Sequence, residues 1–159
     1  KLFAAETAKL SWEEQVAAVQ AKMRELNPSG TPGLGHEVTN VGIVKATLTL
    51  TASASDLTPI MAFSQLKSLT LLEGNAAHDI TCIKFLPLEE LICSEPIALK
   101  NSPILKAMKA LKTINGQPAQ QYLEQLRKKS LVAVAENDDR VTDDDSGDDE
   151  MTDEFLQDG

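Results

Sequence analysis

The sequence predicts an α/β fold in which a small curved parallel sheet, built as a short solenoid, is capped by one helix at each end. Two observations predict it: an apolar pattern recurs every 21 to 23 residues between about positions 43 and 114, and an amphipathic helical pattern lies on each side of that region. A hydrophobic content of 42% allows one ordinary core in 159 residues, and an aromatic content of 4% makes that core aliphatic. We expect one domain over residues 1–135.

The N-terminal cap is predicted as a helix over residues 11–27. Ser11 and Glu14 have the spacing of a capping box, in which each side chain satisfies a backbone amide of the other residue. An apolar stripe at helical spacing follows, formed by Trp12, Val16, Val19, Met23 and Leu26. The prolines and glycines of "NPSGTPG" end the helix.

The central region contains successive copies of one unit, a strand followed by a short return segment. In the first copy, Leu48 and Leu50 alternate with threonines, and "DLTPIMAF" follows as a helical turn introduced by Asp56 and Thr58, with Pro59 in its first turn. "LKSLTLLEG" with "DITCI", and then "LEELICSE" with "NSPIL", repeat this arrangement. The strand positions we equate, 21, 22 and 23 residues apart, are Leu48, Leu69, Leu91 and Ile114. A period in the low twenties with L-x-x-L-x-L leucines is typical of a leucine-rich repeat.

Alternate side chains of each predicted strand face inward, because a single unit cannot bury its apolar side alone and must share a core with its neighbours. The inward strand residues are Leu66, Leu69, Leu71, Leu88, Leu91 and Cys93, and the return segments add Ile60, Ile83 and Ile104. The outward residues are Ser68, Thr70, Glu90 and Ile92. Since solenoids of this kind usually bind partners on the exposed face of their strands, we predict that these four residues bind protein.

The C-terminal cap is predicted as a helix over about residues 118–129. Asn115 and Gly116 indicate a turn, and Pro118 suits the first helical position. The apolar stripe of this helix is Ala119, Tyr122, Leu123 and Leu126. The basic residues 127–129 are placed at the negative end of its dipole.

The succession of "VAAVQAKMRELNPSG", the "DLTPI" and L-x-x-L units and "LKTINGQPAQQYL" resembles the leucine-rich-repeat region appended to certain bacterial, planctomycete-like serine/threonine kinases and envelope proteins. The resemblance spans residues 12–126, with cysteine for proline in "DITCI" and no aspartate in "KNSPI". The sequence has no glycine-rich nucleotide loop and no H-R-D or D-F-G element. The resemblance therefore implies a recognition or scaffold region without catalytic residues, and it favours the cell envelope as location.

The residues that most often carry catalysis or bind metal are few. Cys82 and Cys93 lack the number and spacing of a disulfide scaffold or a zinc site. We expect two reduced thiols packed as small hydrophobic groups, and a disulfide between them stays open. His36, in a glycine-rich loop, and His78, in a repeat turn, are expected to be solvated. We predict no catalytic residue, no cofactor and no metal site; an enzyme with a scattered site is the third alternative.

The charge of −9 is concentrated at the C-terminus. Residues 136–159 hold twelve acids and one base, so they carry −11 and leave +2 for residues 1–135. Such a segment cannot bury enough apolar surface to be ordered alone, so we predict an acidic, disordered tail. Placing Gly147 sixth in an EF-hand loop puts Thr142 first and Asp153 last, which argues against a specific calcium site. The tail's large apolar residues among acids, which suit folding onto a basic partner, are Met151, Phe155 and Leu156.

Charge and hydropathy also bear on the class of partner. A nearly neutral body offers no stripe for tracking phosphates, so nucleic-acid binding is not expected. No apolar run approaches the roughly 18 residues that a membrane span needs, so no membrane insertion of this chain is expected. The sequence thus predicts a noncatalytic protein-interaction module whose partner and oligomeric state are open. The alternative is a structural or assembly subunit that uses the acidic tail.

Overall fold

The computed structural model describes residues 2–51, 53–72 and 78–138. Within these ranges the protein is mixed α/β, with a six-stranded mixed sheet and five α-helices. The helices are α1 (Leu2–Thr7), α2 (Trp12–Leu26), α3 (Glu95–Lys100), α4 (Ser102–Ala107) and α5 (Ala119–Asp138). The strands are β1 (Gly33–Thr39), β2 (Gly42–Thr49), β3 (Ser68–Leu72), β4 (Glu90–Ile92), β5 (Thr113–Ile114) and β6 (Gln117–Pro118). Two 3-10 helices, Thr58–Ala62 and Thr81–Phe85, follow β2 and β3.

The strands lie in the sheet in chain order, β1 to β6. β2, β3, β4 and β5 are parallel, as predicted, while β1 and β6 are antiparallel edge strands that the sequence did not indicate. β1 comes from the glycine-containing segment that was predicted as a loop, and that prediction is wrong. Its pairing with β2 is made through a tight hairpin at residues 39–42, in which Gly42 has a φ of 117°, a conformation that favours glycine.

The register of the parallel strands fixes which residues are equivalent. Ala46, Leu69, Leu91 and Ile114 lie side by side across β2, β3, β4 and β5, at spacings of 23, 22 and 23 residues. Leu48 pairs with Leu71, so equating Leu48 with Leu69 is wrong by two residues. The error has a physical reason: a two-residue shift leaves every side chain on the same face, so the alternation alone cannot distinguish the two registers.

The six residues that were predicted to point inward from the strands are all buried, so that prediction is confirmed. Leu66, Leu69, Leu88 and Leu91 are fully buried, and Leu71 and Cys93 are nearly so. Of the return-segment residues, Ile60 and Ile83 are buried, but Ile104 is only partly buried and its neighbour Leu105 takes the core position. The third return segment is α-helical rather than 3-10. Since an α-helix turns by 3.6 residues rather than 3.0, the inward position moves by one residue.

Buried asparagines tie successive segments together through their side chains. Asn101, between α3 and α4, accepts from the amide of Ile80 at 3.1 Å and donates to the carbonyls of His78 and Ile97 at 2.8 Å each. Asn27, after α2, accepts from two backbone amides at residues 55 and 56 and donates to the carbonyls of residues 23 and 56. Both side chains are 2% exposed. Each asparagine therefore supplies hydrogen-bond partners for backbone amides and carbonyls of a neighbouring turn, which are not paired in a helix or sheet.

The two 3-10 helices begin with the same side-chain arrangement. Asp56 accepts from the amide and the hydroxyl of Thr58, at 2.9 and 2.6 Å, and Asp79 accepts from the same groups of Thr81, at 2.8 and 2.6 Å. These aspartates are 23 residues apart, the spacing of β2 and β3. The sequence match of "DLTPI" with "DITCI" thus corresponds to one repeated turn geometry.

The N-terminal helix α2 closes one end of the core. The predicted capping box is present: Glu14 donates its amide to Ser11 Oγ at 3.4 Å, and Ser11 donates its amide to Glu14 Oε2 at 3.0 Å. Val19 and Met23 are buried, whereas Trp12 is 42% exposed and lies 5.9 Å from the ring of His36. The first residue of the predicted stripe therefore packs on β1 rather than in the core. Helix α1 precedes α2 and has no counterpart in the prediction.

The C-terminal helix α5 closes the other end and is longer than predicted. Asn115 and Gly116 both have positive φ, 52° and 76°, and form the predicted turn, here between β5 and β6. Pro118 ends β6, directly before α5, and Ala119, Leu123 and Leu126 are buried as expected. Because α5 continues to Asp138, the basic residues 127–129 lie in mid-helix and not at its end. Of the predicted acidic tail, residues 139–159 lie outside the described residues.

Cys82 and Cys93 are not joined by a disulfide. Cys93 is buried directly after β4, and Cys82 is half-buried in the second 3-10 helix. Burial is the main cause that raises the pKa of the Cys82 thiol from 9.0 to about 12, with smaller contributions from the carboxylates of Asp56 and Asp79. Since the thiolate is the reactive form, Cys82 stays protonated and poorly nucleophilic at neutral pH.

Candidate functional site

The four residues predicted to bind protein lie together on the face of the sheet that points away from the core. Ser68 pairs with Glu90 and Thr70 pairs with Ile92 across β3 and β4. Ser68 Oγ donates to Glu90 Oε2 at 2.7 Å. The first three side chains are half-buried and Ile92 is 40% exposed. The sequence thus identified the correct face of both central strands, because the inward leucines alternate with these positions.

The same face extends over β1, β2 and β5, which the sequence prediction did not include. We define the sheet face as the outward residues of these strands together with the four predicted ones. They form three rows across the sheet: Glu37, Lys45, Ser68, Glu90 and Thr113; then Gly35, Thr47, Thr70 and Ile92; then Gly33, Thr49 and Leu72. The alternation of apolar and polar residues in "KATLTL" indicates which side chains of β2 point outward. Which of them lie beside the outward residues of β3 depends on the register of the two strands.

The centre of the sheet face combines hydroxyl groups with aliphatic side chains. Thr47, Thr49 and Thr70 lie beside Ile92 and Leu72, and Leu72 is 50% exposed. Thus two large aliphatic side chains are left in water on neighbouring strands. A surface of this composition suits a protein partner that supplies apolar contacts and a few hydrogen bonds.

The glycines of β1 leave one side of this centre without side chains. A Cβ at Gly33 would lie 3.3 Å from the Cβ of Thr49, and one at Gly35 would lie 3.6 Å from the Cβ of Thr47. Without side chains there, the two threonines are open towards the edge of the sheet. The sheet face is therefore accessible from the β1 side.

Charged groups gather at the end where the parallel strands begin, and they pair with one another. Glu37 and Lys45 lie 3.0 Å apart across β1 and β2. Glu89 accepts from Lys112 and lies 3.3 Å from Lys67, so that one carboxylate joins the residues preceding β3, β4 and β5. The two lysines hold the pKa of Glu89 below its ordinary value of 4.5, with Lys112 contributing most. These charges are compensated within the chain, so the centre of the sheet face is close to neutral.

Replacing Lys112 with glutamine is expected to raise the pKa of Glu89 towards 4.5, because the main cause of the depression is removed. A carboxylate with a depressed pKa in the folded state adds stability above its unfolded pKa and loses it as the pH falls through the folded pKa. The K112Q variant should therefore lose less stability on acidification below pH 4.5 than the parent chain. Carboxyl-detected NMR titration measures the pKa directly, and an unchanged Glu89 pKa in K112Q would contradict the assignment.

His78, Asp56 and Asp79, the polar groups outside the sheet face that most resemble site residues, form hydrogen bonds within the structure. His78 was expected to be solvated, but it is 7% exposed and donates Nδ1–H to the carbonyl of Ala54 at 2.9 Å. Asp56, Asp79 and Cys82 line a cavity of about 270 Å³, where both carboxylates accept from threonines of their own turns. Among residues 2–51, 53–72 and 78–138, no group of three or more His, Cys, Asp or Glu side chains has the arrangement of a metal site.

Comparison with known proteins finds no family model, no curated protein and no solved structure that matches this chain. None of the helices in the part of the chain that the structure describes combines the length and apolar character that crossing a membrane requires.

Proposed function

We propose that the chain is a short leucine-rich-repeat solenoid and that it acts as a noncatalytic protein-interaction module through its sheet face. The observation that carries the proposal is the repeated register. Equivalent residues at spacings of 22 and 23 place every inward apolar side chain in one core and every outward side chain on one continuous surface. The resemblance to the repeat regions of bacterial kinases and envelope proteins supports the same proposal and adds no catalytic residue.

The composition of the sheet face indicates what kind of partner it fits. Its central rows expose Leu72 and Ile92 among threonine hydroxyls, while the charged residues at the strand starts pair within the chain. A partner with a small apolar protrusion flanked by hydrogen-bonding groups matches this surface. Because the local charges are compensated, binding should change little with salt, in contrast to an interaction steered by one sign of charge.

The experiment that tests the proposal is affinity capture of a binding protein followed by paired substitutions. Ile92→Asp puts a charge in the centre of the sheet face, and Ala107→Asp puts the same charge on an exposed position of α4, on the helical side. We expect I92D to lose most of the captured partner and A107D to keep it. If removal of residues 139–159 abolishes capture while I92D leaves it intact, the sheet-face proposal is overturned.

The alternative, a structural or assembly subunit, is favoured by the second half of α5. Leu131, Val132 and Val134 are 58%, 58% and 67% exposed, an unusual run of large apolar side chains on one helix. Light scattering over a range of concentrations separates the two candidates. An assembly subunit should grow in mass with concentration, and Val134→Ser should reduce that growth, whereas an interaction module stays at constant mass.

A further inference from the structure

A groove lies between α5 and the α3–α4 pair. Its volume is about 140 Å³. Leu99 and Leu131 line it and are 43% and 58% exposed, so two large aliphatic side chains face water on its opposite walls. Lys106 and Arg127 line it as well. The groove therefore has an apolar side chain on each wall and cationic side chains beside them.

The helices around the groove carry an excess of positive charge. Residues 95–107 and 119–135, which cover α3, α4 and most of α5, contain five lysines and arginines and two glutamates, so their net charge is +3, and Glu136 and Asp138 follow at the end of α5. Glu124 pairs with Arg127 at 3.2 Å, and Glu95 pairs with Lys129 at 3.0 Å. The pKa of Glu124 is lowered first by Arg127 and also by Lys128 and Lys106, so several cations act at one place on this surface. An occupant of the groove should be acidic and should carry large apolar side chains.

The chain itself contains a segment of this composition. Residues 139–159 hold ten acids and one base, and their net charge is −9. Within them "DEFLQD", residues 153–158, places Phe155 and Leu156 next to each other with acids on both sides. We propose that this segment docks into the groove of its own chain. Phe155 and Leu156 then cover Leu99 and Leu131, and the flanking acids meet Lys106 and Arg127.

The covalent connection permits this docking. From Asp138, the last residue of α5, to Phe155 there are 17 residues, which span up to roughly 55 Å when extended. Arg127 lies 11 residues back along the same helix, roughly 17 Å away. The extended length of the connecting segment therefore exceeds the distance back to the groove, so the segment can reach it. Tethering gives it an effective concentration on the order of millimolar, so even a weak contact is populated. The sheet face takes no part in this contact.

The test uses the full chain with a spin label at Gln157→Cys and measures the loss of backbone amide NMR intensity. Cys93 is buried and the pKa of Cys82 is about 12, so the new thiol is the one that reacts. We expect the amides of Leu99, Ser102 and Lys106 to lose most of their intensity, because these residues line the groove although they are distant from the label in sequence. High salt should restore much of the signal.

Two substitutions separate docking from random proximity. Leu131→Ser removes an exposed apolar wall of the groove and should restore the amide signals of α3 and α4, whereas Val134→Ser, on the same helix and outside the groove, should not. Replacing Phe155 and Leu156 together with serine should restore them as well. Unchanged intensities at α3 and α4, or losses centred on the sheet face, would overturn the proposal. Losses seen only between labelled and unlabelled chains in a mixed sample would assign the groove to a second copy and overturn docking within one chain.

Discussion

Replacing Leu91 with alanine is expected to lower the free energy of unfolding by about 2–5 kcal/mol. Leu91 is fully buried in the middle of the three-residue strand β4, between Leu69 of β3 and Ile114 of β5. Alanine at this position loses the transfer free energy of the removed carbons and leaves a cavity that the stacked strands cannot close. Chemical denaturation followed by circular dichroism measures the change.

The matched control is the next residue, Ile92, which has a side chain of the same size on the opposite face. Because Ile92 is 40% exposed, Ile92→Ala should cost at most about 1 kcal/mol. A clear difference between the two variants shows that β4 alternates between core and sheet face as described. Equal losses, or a larger loss for Ile92→Ala, would show that the strand is oriented differently.

Replacing Asn101 with alanine is expected to lower the free energy of unfolding by about 2–4 kcal/mol, although the substitution removes few atoms. The side chain is 2% exposed and is the partner of the Ile80 amide and of the carbonyls of His78 and Ile97. The Ile97 carbonyl also accepts from the Asn101 amide, so the cost arises at the Ile80 amide and the His78 carbonyl. Burying such groups without this partner costs about 1–3 kcal/mol for each.

The equivalent residue Asn27 provides a second measurement of the same effect, since it holds the turn before the first 3-10 helix in the same way. Asn27→Ala should be destabilised by a similar amount. Asn40→Ala, at the exposed β1–β2 hairpin, is the control and should change stability by no more than about 0.5 kcal/mol. If Asn101→Ala behaves like Asn40→Ala, the buried asparagines do not hold the turns together.

The sequence predicted the core well because the inward positions are fixed by strong local patterns. Leu66, Leu69, Leu88 and Leu91 all lie where the L-x-x-L spacing indicated, and Ser11 forms the predicted capping box. Such features depend on alternation within one strand or on contacts three residues apart in a helix. They are therefore visible without knowledge of what lies beside them.

The features that the sequence did not reveal depend on contacts between distant segments. Leu48 was matched to Leu69 rather than Leu71, because a shift by two residues preserves the alternation and only pairing with β3 selects one register. The segment around Gly33 was predicted as a loop, because two of the outward positions of this strand are glycines, Gly33 and Gly35, and carry no side chain. Buried His78 had no sequence signal, since its partner Ala54 is 24 residues away.

The candidate site also has features that follow from local alternation and features that depend on contacts between distant segments. Ser68, Thr70, Glu90 and Ile92 could be assigned to one face from the alternation of two strands. Leu72 continues the same alternation two residues after Thr70, but the prediction did not include it, and its place beside Thr49 of β2 depends on the register. The extent of a surface across a sheet is set by register, and register is a long-range property.

Site-specific photocross-linking tests the central claim, that the sheet face binds a protein partner, most directly. A photoreactive phenylalanine analogue placed at Thr70, in the middle of that face, is compared with the same analogue at Ala107 of α4. We predict covalent capture of the bound partner from position 70 and none from position 107. Capture from position 107 with none from position 70 would contradict the claim and would place the interaction on the helical side of the molecule.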